Sequence, residues 1–205
     1  MPVKKLLFAT NNAHKVAEIQ SAIGDQIEVV SLREAGIDIE IPEPFDTLNE
    51  NASEKSGTIY RLTNENCFSE DTGLEVAALG GAPGVKSARY AGDDANATRN
   101  IEKLLSALEG KENRNARFRT VISLVWEGKE YFFEGICEGN ILKQASGNQG
   151  FGYDPVFQPE GADRCFAQMD SKEKNIYSHR RKAADKLVSF LKEQVETLNN
   201  SQFIK

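Results

Sequence analysis

The run Ala116-Arg-Phe-Arg-Thr-Val-Ile-Ser-Leu-Val-Trp126, then Glu127-Gly-Lys-Glu130, then Tyr131-Phe-Phe-Glu-Gly-Ile-Cys-Glu-Gly-Asn-Ile-Leu142 decides the fold. Two stretches rich in β-branched and aromatic residues flank four polar residues with a glycine among them. That pattern predicts a hairpin of two long antiparallel strands. Working upstream, Val3–Ala9 is an apolar run that stops at Thr10-Asn11-Asn12, a buried strand and its turn. Asn12 caps a predicted helix over 13–23, with Val16, Ile19, Gln20 and Ile23 at helical spacing and Gly24 as the stop. Ile27–Leu32 reads as a second strand, and Glu34–Phe45 as irregular chain. Thr47-x-x-Glu50 is a capping box that opens a polar helix reaching Asn64. Cys67–Ser69 reads as a strand, Glu70–Gly73 as a turn, and Leu74–Leu79 as a further strand. Gly80–Asp93 is a glycine-rich loop. Ala95–Glu109 is an amphipathic helix with Ile101, Leu104, Leu105 and Leu108 on one face. Beyond the hairpin come a loop over Gly147–Pro155 and a last helix from Ser178 to Leu198. Strands that alternate with helices, around one hairpin, predict an α/β fold with a mixed sheet covered by helices.

With 205 residues, the chain suits a single domain over 1–205 whose two lobes share a sheet. Its 40% hydrophobic and 27% charged residues are ordinary for a globular protein. The longest apolar runs are strand length, far short of the ~20 residues of a membrane helix, so no membrane partner is expected. The first residues read as a strand rather than a signal peptide. Cys67, Cys137 and Cys165 are far apart and match no metal or redox spacing; an odd count suits a reducing, cytoplasmic setting. A net charge of −6 argues against nucleic acid as a partner, because a phosphate backbone needs a basic surface. It leaves room for a small anion held by a few local cations.

Four segments can carry chemistry. Thr10-Asn11-Asn12-Ala13-His14-Lys15 joins a strand to a helix, where backbone N–H groups and the helix dipole favour an anion and Lys15 reaches back over the loop. Its ordinary reading is a helix cap with a surface lysine. Glu70 and Asp71 supply the hard oxygens that Mg²⁺ takes, with Glu43 in the acidic stretch upstream. Neighbours on a strand point to opposite faces, so only a break at the predicted turn would aim both acids at one site. Phe151-Gly152-Tyr153-Asp154-Pro155 sets an aromatic ring and an acid in a rigid loop, able to stack on a base and accept its hydrogen bonds; its ordinary reading is a turn with aromatics in the core. Glu173-Lys174 and Ser178-His179-Arg180 bring cations and a histidine near a helix start, or a plain basic face. Gly80-Gly-Ala-Pro-Gly-Val-Lys-Ser87 is not a phosphate-binding Walker loop, because Val85 stands where the pattern needs a glycine before the lysine. Neither histidine lies in a nucleophile pattern, so covalent catalysis is not indicated.

In this order the segments resemble the inosine/xanthosine triphosphate pyrophosphatase family. The resemblance rests on Ala9-Thr10-x-Asn12-x-x-Lys15, Glu43, Glu50-Asn51-Ala52-x-x-Lys55, Glu70-Asp71-Thr72-Gly73-Leu74, Gly80–Tyr90 with Arg89, Phe151–Pro155 and Glu173-Lys174 with Ser178-His179-Arg180. It spans about residues 5–195, and Glu70 departs from relatives that carry aspartate there. What the resemblance implies is a two-lobed α/β fold with a long twisted mixed β-sheet flanked by helices. The active-site cleft would lie between the lobes, and homodimers are common. The implied reaction splits a nucleoside triphosphate between the α and β phosphates. Asp71 would be the general base, and Glu43, Glu70 and Asp71 the Mg²⁺ ligands. Lys15, Lys55 and Lys174 would clamp phosphates, with hydrogen bonds from Thr10, Asn12 and Thr72. Phe151 would stack on the purine, Asp154, His179 and Arg180 would line its edge, and Arg89 would position base or cleft. Rival readings are a pyrophosphatase for pyrimidine or modified-base triphosphates, and a nucleotide-binding regulator without turnover. Ser178-His179-Arg180 and Phe151–Pro155 favour purines. The Glu70-Asp71 pair favours turnover, since a binder needs no base beside a metal.

Overall fold

The computed structural model describes residues 4–24 and 27–202, with the side chains of 5–24 and 27–194. In chain order the elements are β1 (Lys4–Phe8), α1 (Ala13–Ile23), β2 (Ile27–Ser31), α2 (Leu48–Thr63), β3 (Cys67–Val76), β4 (Pro83–Gly84), α3 (Ala97–Ala107), β5 (Asn115–Trp126), β6 (Lys129–Ile141), β7 (Phe157–Pro159), α4 (Ser171–Tyr177) and α5 (His179–Gln202). The strands form one mixed sheet in the order β2-β1-β3-β5-β6-β7, with β4 beside β3. β1 runs parallel to β2 and β3, and the remaining pairings are antiparallel.

The hairpin forms as the sequence predicts. β5 and β6 pair from Asn115↔Asn140 to Trp126↔Lys129, around Glu127 and Gly128 at positive φ. Three further readings hold at the level of single side chains. Asn12 Oδ1 accepts from the N–H of His14 and Lys15, Thr47 Oγ1 accepts from Glu50 N–H, and Gly24 ends α1. The predicted start of the first strand at Val3 lies outside the described residues. One reading fails: Cys67–Val76 is a single unbroken strand, paired with β5 at every residue from Cys67 to Val76, with no turn at Glu70–Gly73. The turn signal of Thr72-Gly73 is overruled by ten ladder pairings. Three elements were not foreseen, the two-residue strand β4 within the predicted loop, the short strand β7 and the seven-residue helix α4 capped by Asp170.

Packing follows the two-residue alternation of the strands. On one face, Phe8, Phe68, Ile122 and Leu124 pack with Ile19 and Ile23 of α1 and with Ala183, Ala184 and Leu187 of α5. On the other, Leu7, Cys67 and Val125 meet Ile59 of α2, and Val121 meets Leu48 and Ala52. The far ends of the same long strands supply Leu74, Val76, Phe118, Cys137 and Ile141 to a separate cluster with Leu104 and Leu108 near α3.

One feature of the ladder positions the site. β1 and β4 both lie on the same edge of β3, since β5 takes the other. β1 pairs only with Cys67 and Phe68, and β4 only with Leu74 and Glu75. Between them, Ser69–Gly73 have no strand on that edge among the described residues. The sheet therefore splits there, beside Glu70, Asp71 and Thr72.

Candidate active site

The split opens into a cavity of about 360 Å³ lined by residues from eight stretches of the chain, within the ~300–1,000 Å³ range of small-molecule sites. Of the residues singled out by sequence, Asn12, Lys15, Glu43, Asp71, Thr72, Arg89, Phe151, Gly152, Tyr153, Asp154, Lys174, His179 and Arg180 line it. Because the cavity lies at an open strand edge, residues from both faces of β3 reach it without the break that the sequence reading required.

Asp71 points to the α2 face. Lys55 Nζ donates to Asp71 Oδ1 at 3.0 Å and to Glu43 Oε1 at 2.5 Å, and Arg89 meets Glu43 at 3.5 Å. Burial raises the Asp71 carboxyl above its ordinary value, and Lys55 and Lys15 only partly offset this. Burial also opposes the Glu43 charge, but there Lys55 wins and the carboxyl is lowered. Lys55 is likewise held above its ordinary value, because Asp71 and Glu43 outweigh its desolvation.

Glu70 points to the opposite face and does not line the cavity. Its oxygens accept from Arg180, from Lys15 at 3.0 Å and from Thr72 Oγ1 at 3.0 Å. Burial alone would raise this carboxyl; Arg180, then Lys15, hold it well below the usual carboxylate range. The residue expected as a metal ligand thus has both oxygens taken by protein cations, on the face of the strand opposite Asp71. Glu70 begins a chain of alternating charges under the cavity. Arg180 bridges Glu70 and Glu18, and Lys174 bridges Glu18 at 2.8 Å and Asp154 at 2.7 Å. Every buried charge in this chain has an opposite neighbour, so none is left uncompensated.

The far end of the cavity is aromatic. Asp154 accepts from Phe151 N–H at 2.9 Å, which fixes the loop. Gly150, at φ +73°, passes so close that a Cβ there would meet Asp154 Oδ2 at 2.0 Å. Lys174 Nζ lies 5.3 Å from the Phe151 ring centroid, so it sits at the aromatic end rather than with Lys15 and Lys55. His179 stacks on Phe118 at 4.6 Å, and its buried Nδ1 has no hydrogen-bond partner among the described residues. Burial, then Arg180 and Lys174, hold its pKa well below 6.5, so the ring is neutral.

Other predicted residues fall outside the cavity. Thr10 Oγ1 accepts from Asn12 N–H, and Asn11 Oδ1 accepts from Arg33 N–H, away from the site. Asn12 Oδ1 already satisfies the His14 and Lys15 N–H groups, two of the donors that the sequence reading offered to an anion. Ala13 is exposed at the first position of α1, and His14 stacks on Phe151 at 5.1 Å from outside. Sequence reasoning missed Glu18 and Phe118. Glu18 had a usable signal, lying three residues after Lys15 and hence on the same helix face. Phe118 looked like any inward residue of a strand.

Among the described residues no group of three or more His, Cys, Asp or Glu side chains is placed to hold a metal; Asp154 lies at the aromatic end, so the other end of the cavity offers two carboxylates, Glu43 and Asp71. That number of protein oxygens is what Mg²⁺ commonly takes when phosphates and water complete its shell. A split mixed sheet, with an acidic pair, Lys15 and Arg89 at one end of its cavity and a stacking end at the other, defines an α/β protein with a site laid out for a nucleoside phosphate. The chain belongs to the Ham1 family, whose pattern matches residues 6–190. It is similar to a dITP/XTP pyrophosphatase of Flavobacterium psychrophilum, 48% identical over 188 residues that cover 92% of this chain and 99% of the relative. A dITP/XTP pyrophosphatase of Porphyromonas gingivalis is 48% identical over 190 residues, 92% and 98% of the two chains. Among solved structures, the Staphylococcus aureus Ham1 protein superposes with a TM-score of 0.85 at 36% identity, over 93% of this chain and all of that one. A nucleoside-triphosphatase / dITP/XTP pyrophosphatase from Mycobacterium abscessus does so at 0.73 and 36%, over 89% and 98%.

Proposed function

We propose that this chain hydrolyses dITP, XTP and ITP between the α and β phosphates, giving the nucleoside monophosphate and pyrophosphate, and so clears non-canonical purines from the nucleotide pool. The observation that carries the reading is one cavity with two unlike ends: the Glu43–Asp71 pair, backed by Lys55, with Lys15 and Arg89, and the Phe151 loop with His179, whose Nδ1 has no hydrogen-bond partner among the described residues. Membership of the Ham1 family and the curated pyrophosphatase relatives support it.

Phosphoryl chemistry needs neutralised charge and in-line attack more than covalent help. Glu43 and Asp71 would hold Mg²⁺, which supplies charge neutralisation at the phosphates and a more acidic water. Asp71 takes the proton of the attacking water at its carboxylate. Before a metal binds, burial already raises its pKa, the direction in which an efficient base lies. Lys15 stays on Glu70 while its partly exposed ammonium faces the phosphates, and Lys55 completes the clamp. Glu70 orients Lys15 and Arg180 rather than binding metal.

At the other end Phe151 stacks on the base, and Lys174 holds the Phe151 loop through Asp154. His179 offers its free Nδ1 to the base edge, and Arg180 fixes the start of α5 beneath it. Inosine and xanthosine accept at the 6-keto oxygen where adenine donates, so a donor aimed there is left unpaired by adenine, and a buried site penalises that. The assembly proposed, from resemblance alone, is a homodimer, which sedimentation would read. Three buried free cysteines suit a reducing cytoplasm, and no helix among the described residues is long and apolar enough to cross a membrane. Phosphorus NMR of the products of ITP tests the reaction: pyrophosphate and monophosphate are expected, and orthophosphate with a diphosphate overturns it.

A further inference from the structure

Lys55 sits between the two carboxylates that face the phosphate end. Its side chain is 9% exposed, and among the described residues it is the one cation within 4 Å of Asp71. On the same helix, Ala52 and Ile59 are fully buried, so Lys55 leaves α2 toward the sheet and not toward solvent. Glu43 and Asp71 thus already share one ammonium, which touches an oxygen of each. A small hard cation coordinates carboxylate oxygen at ~2.0–2.1 Å. One that took both carboxylates would meet Nζ across the same oxygens, two like charges a few ångströms apart and shielded from water.

We infer that Lys55 is a counter-cation seated on the Glu43–Asp71 pair, that a divalent metal must displace it, and that the displaced ammonium is then free for the triphosphate. The inference rests on the reading that this pair holds the metal. It gives Lys55 a second task besides contacting phosphate: it keeps the acidic pair from holding metal alone. The metal–nucleotide complex enters more readily, because its phosphates give Lys55 a new anionic partner as it leaves the carboxylates. Metal and nucleotide binding are then coupled through one side chain.

The probe is Mn²⁺ alone, with free ion read by electron paramagnetic resonance and no nucleotide present. Lys55→Gln keeps a polar chain without the charge and is expected to bind Mn²⁺ at least about tenfold more tightly than the native protein. That is the lower end of the one to three pKa units by which an opposite charge shifts a neighbouring carboxylate. Lys55→Arg keeps the charge and is expected to bind as weakly as the native protein. A folded Lys55→Gln that binds no more tightly overturns the inference, and so does a Lys55→Arg that tightens equally. Should Lys55→Gln fail to fold, the ¹⁵N resonance of the native Lys55 ammonium decides. Loss or displacement of that signal on adding Mg²⁺ supports the exchange, and an unmoved signal at saturating Mg²⁺ overturns it. Failure here leaves pyrophosphate release from ITP untouched, and failure of that assay leaves the Mn²⁺ measurement readable.

Discussion

Asp71 and Glu70 are adjacent acids with different surroundings, and their substitutions should behave differently. Asp71→Asn keeps the shape beside Lys55 but cannot take a proton. It is expected to lower kcat by ~10²–10⁴-fold, the usual cost of losing a general base, while nucleotide binding by calorimetry persists. If the variant kept more than about a tenth of native kcat, outside that range, another group would be the base. His179 permits a test by pH. A histidine held neutral in the fold takes up its proton more readily once unfolded, so acid favours the unfolded chain. Its contribution is complete above 6.5, the ordinary value, and is lost as pH falls below 6.5 toward the lower folded pKa. Through that window native stability should fall by up to about 1.4 kcal/mol per pH unit. His179→Phe keeps the stack on Phe118 and removes the proton site. Its thermal midpoint should therefore decline less between pH 7 and pH 5.5, and parallel declines would mean that His179 is charged in the fold. At this scale the sequence named most residues of the cavity and misjudged some of their partners. Residue type announces that Arg180 and Lys174 are cations, but not that Glu18, more than 150 positions away, stands between them.

Gly135 shows how one element is seated on another. It lies in β6, and a Cβ built on it would meet His179 O at 2.0 Å and Ala183 N at 2.6 Å. The first turn of α5 therefore rests on bare backbone, and this close approach sets His179 and Arg180 at their depth. Gly135→Ala must push α5 outward. Overpacking of this kind costs ~1–3 kcal/mol, or roughly 2–12 °C in a chain of this length. The variant should also lose discrimination between ITP and ATP, and an unchanged midpoint with unchanged discrimination would show that α5 is not seated this closely. Elements with local signals were legible in the sequence: the hairpin by alternation, α1 and α2 by their caps, α5 by its apolar stripe. β3 was misread because Thr72-Gly73 imitates a turn, whereas its continuity comes from pairing with β5, about fifty residues away. α4 has seven residues, too few to reveal a period.

Across the whole molecule, β3, β5 and β6 run from one core cluster into another. Phe68, Ile122, Leu124 and Trp126 belong to the cluster of α1 and α5, and Leu74, Val76, Phe118 and Ile141 to the cluster near α3. Neither cluster can be dismantled without breaking strands that the other uses. Unfolding should accordingly be one cooperative transition, despite the cleft. Fluorescence of Trp126, the single tryptophan, reports the first cluster, and far-ultraviolet circular dichroism reports both. The two midpoints in urea should coincide, and separated midpoints would mean that the halves unfold independently. A mixed sheet covered by helices could be read from element order; the split in it could not, because it depends on where β1 and β4 stop along a shared neighbour.

That split makes β3 a ruler. β1 leaves it at Phe68 and β4 joins it at Leu74, six steps that span about 20 Å of extended chain. The width of the opening is counted in residues along a strand held straight by β5, not set by a loop that can give. A one-residue insertion between Phe68 and Glu70 would lengthen the ruler by a single notch. It would also turn Glu70 toward Lys55 and Asp71 toward Arg180, exchanging the two acids between their partners.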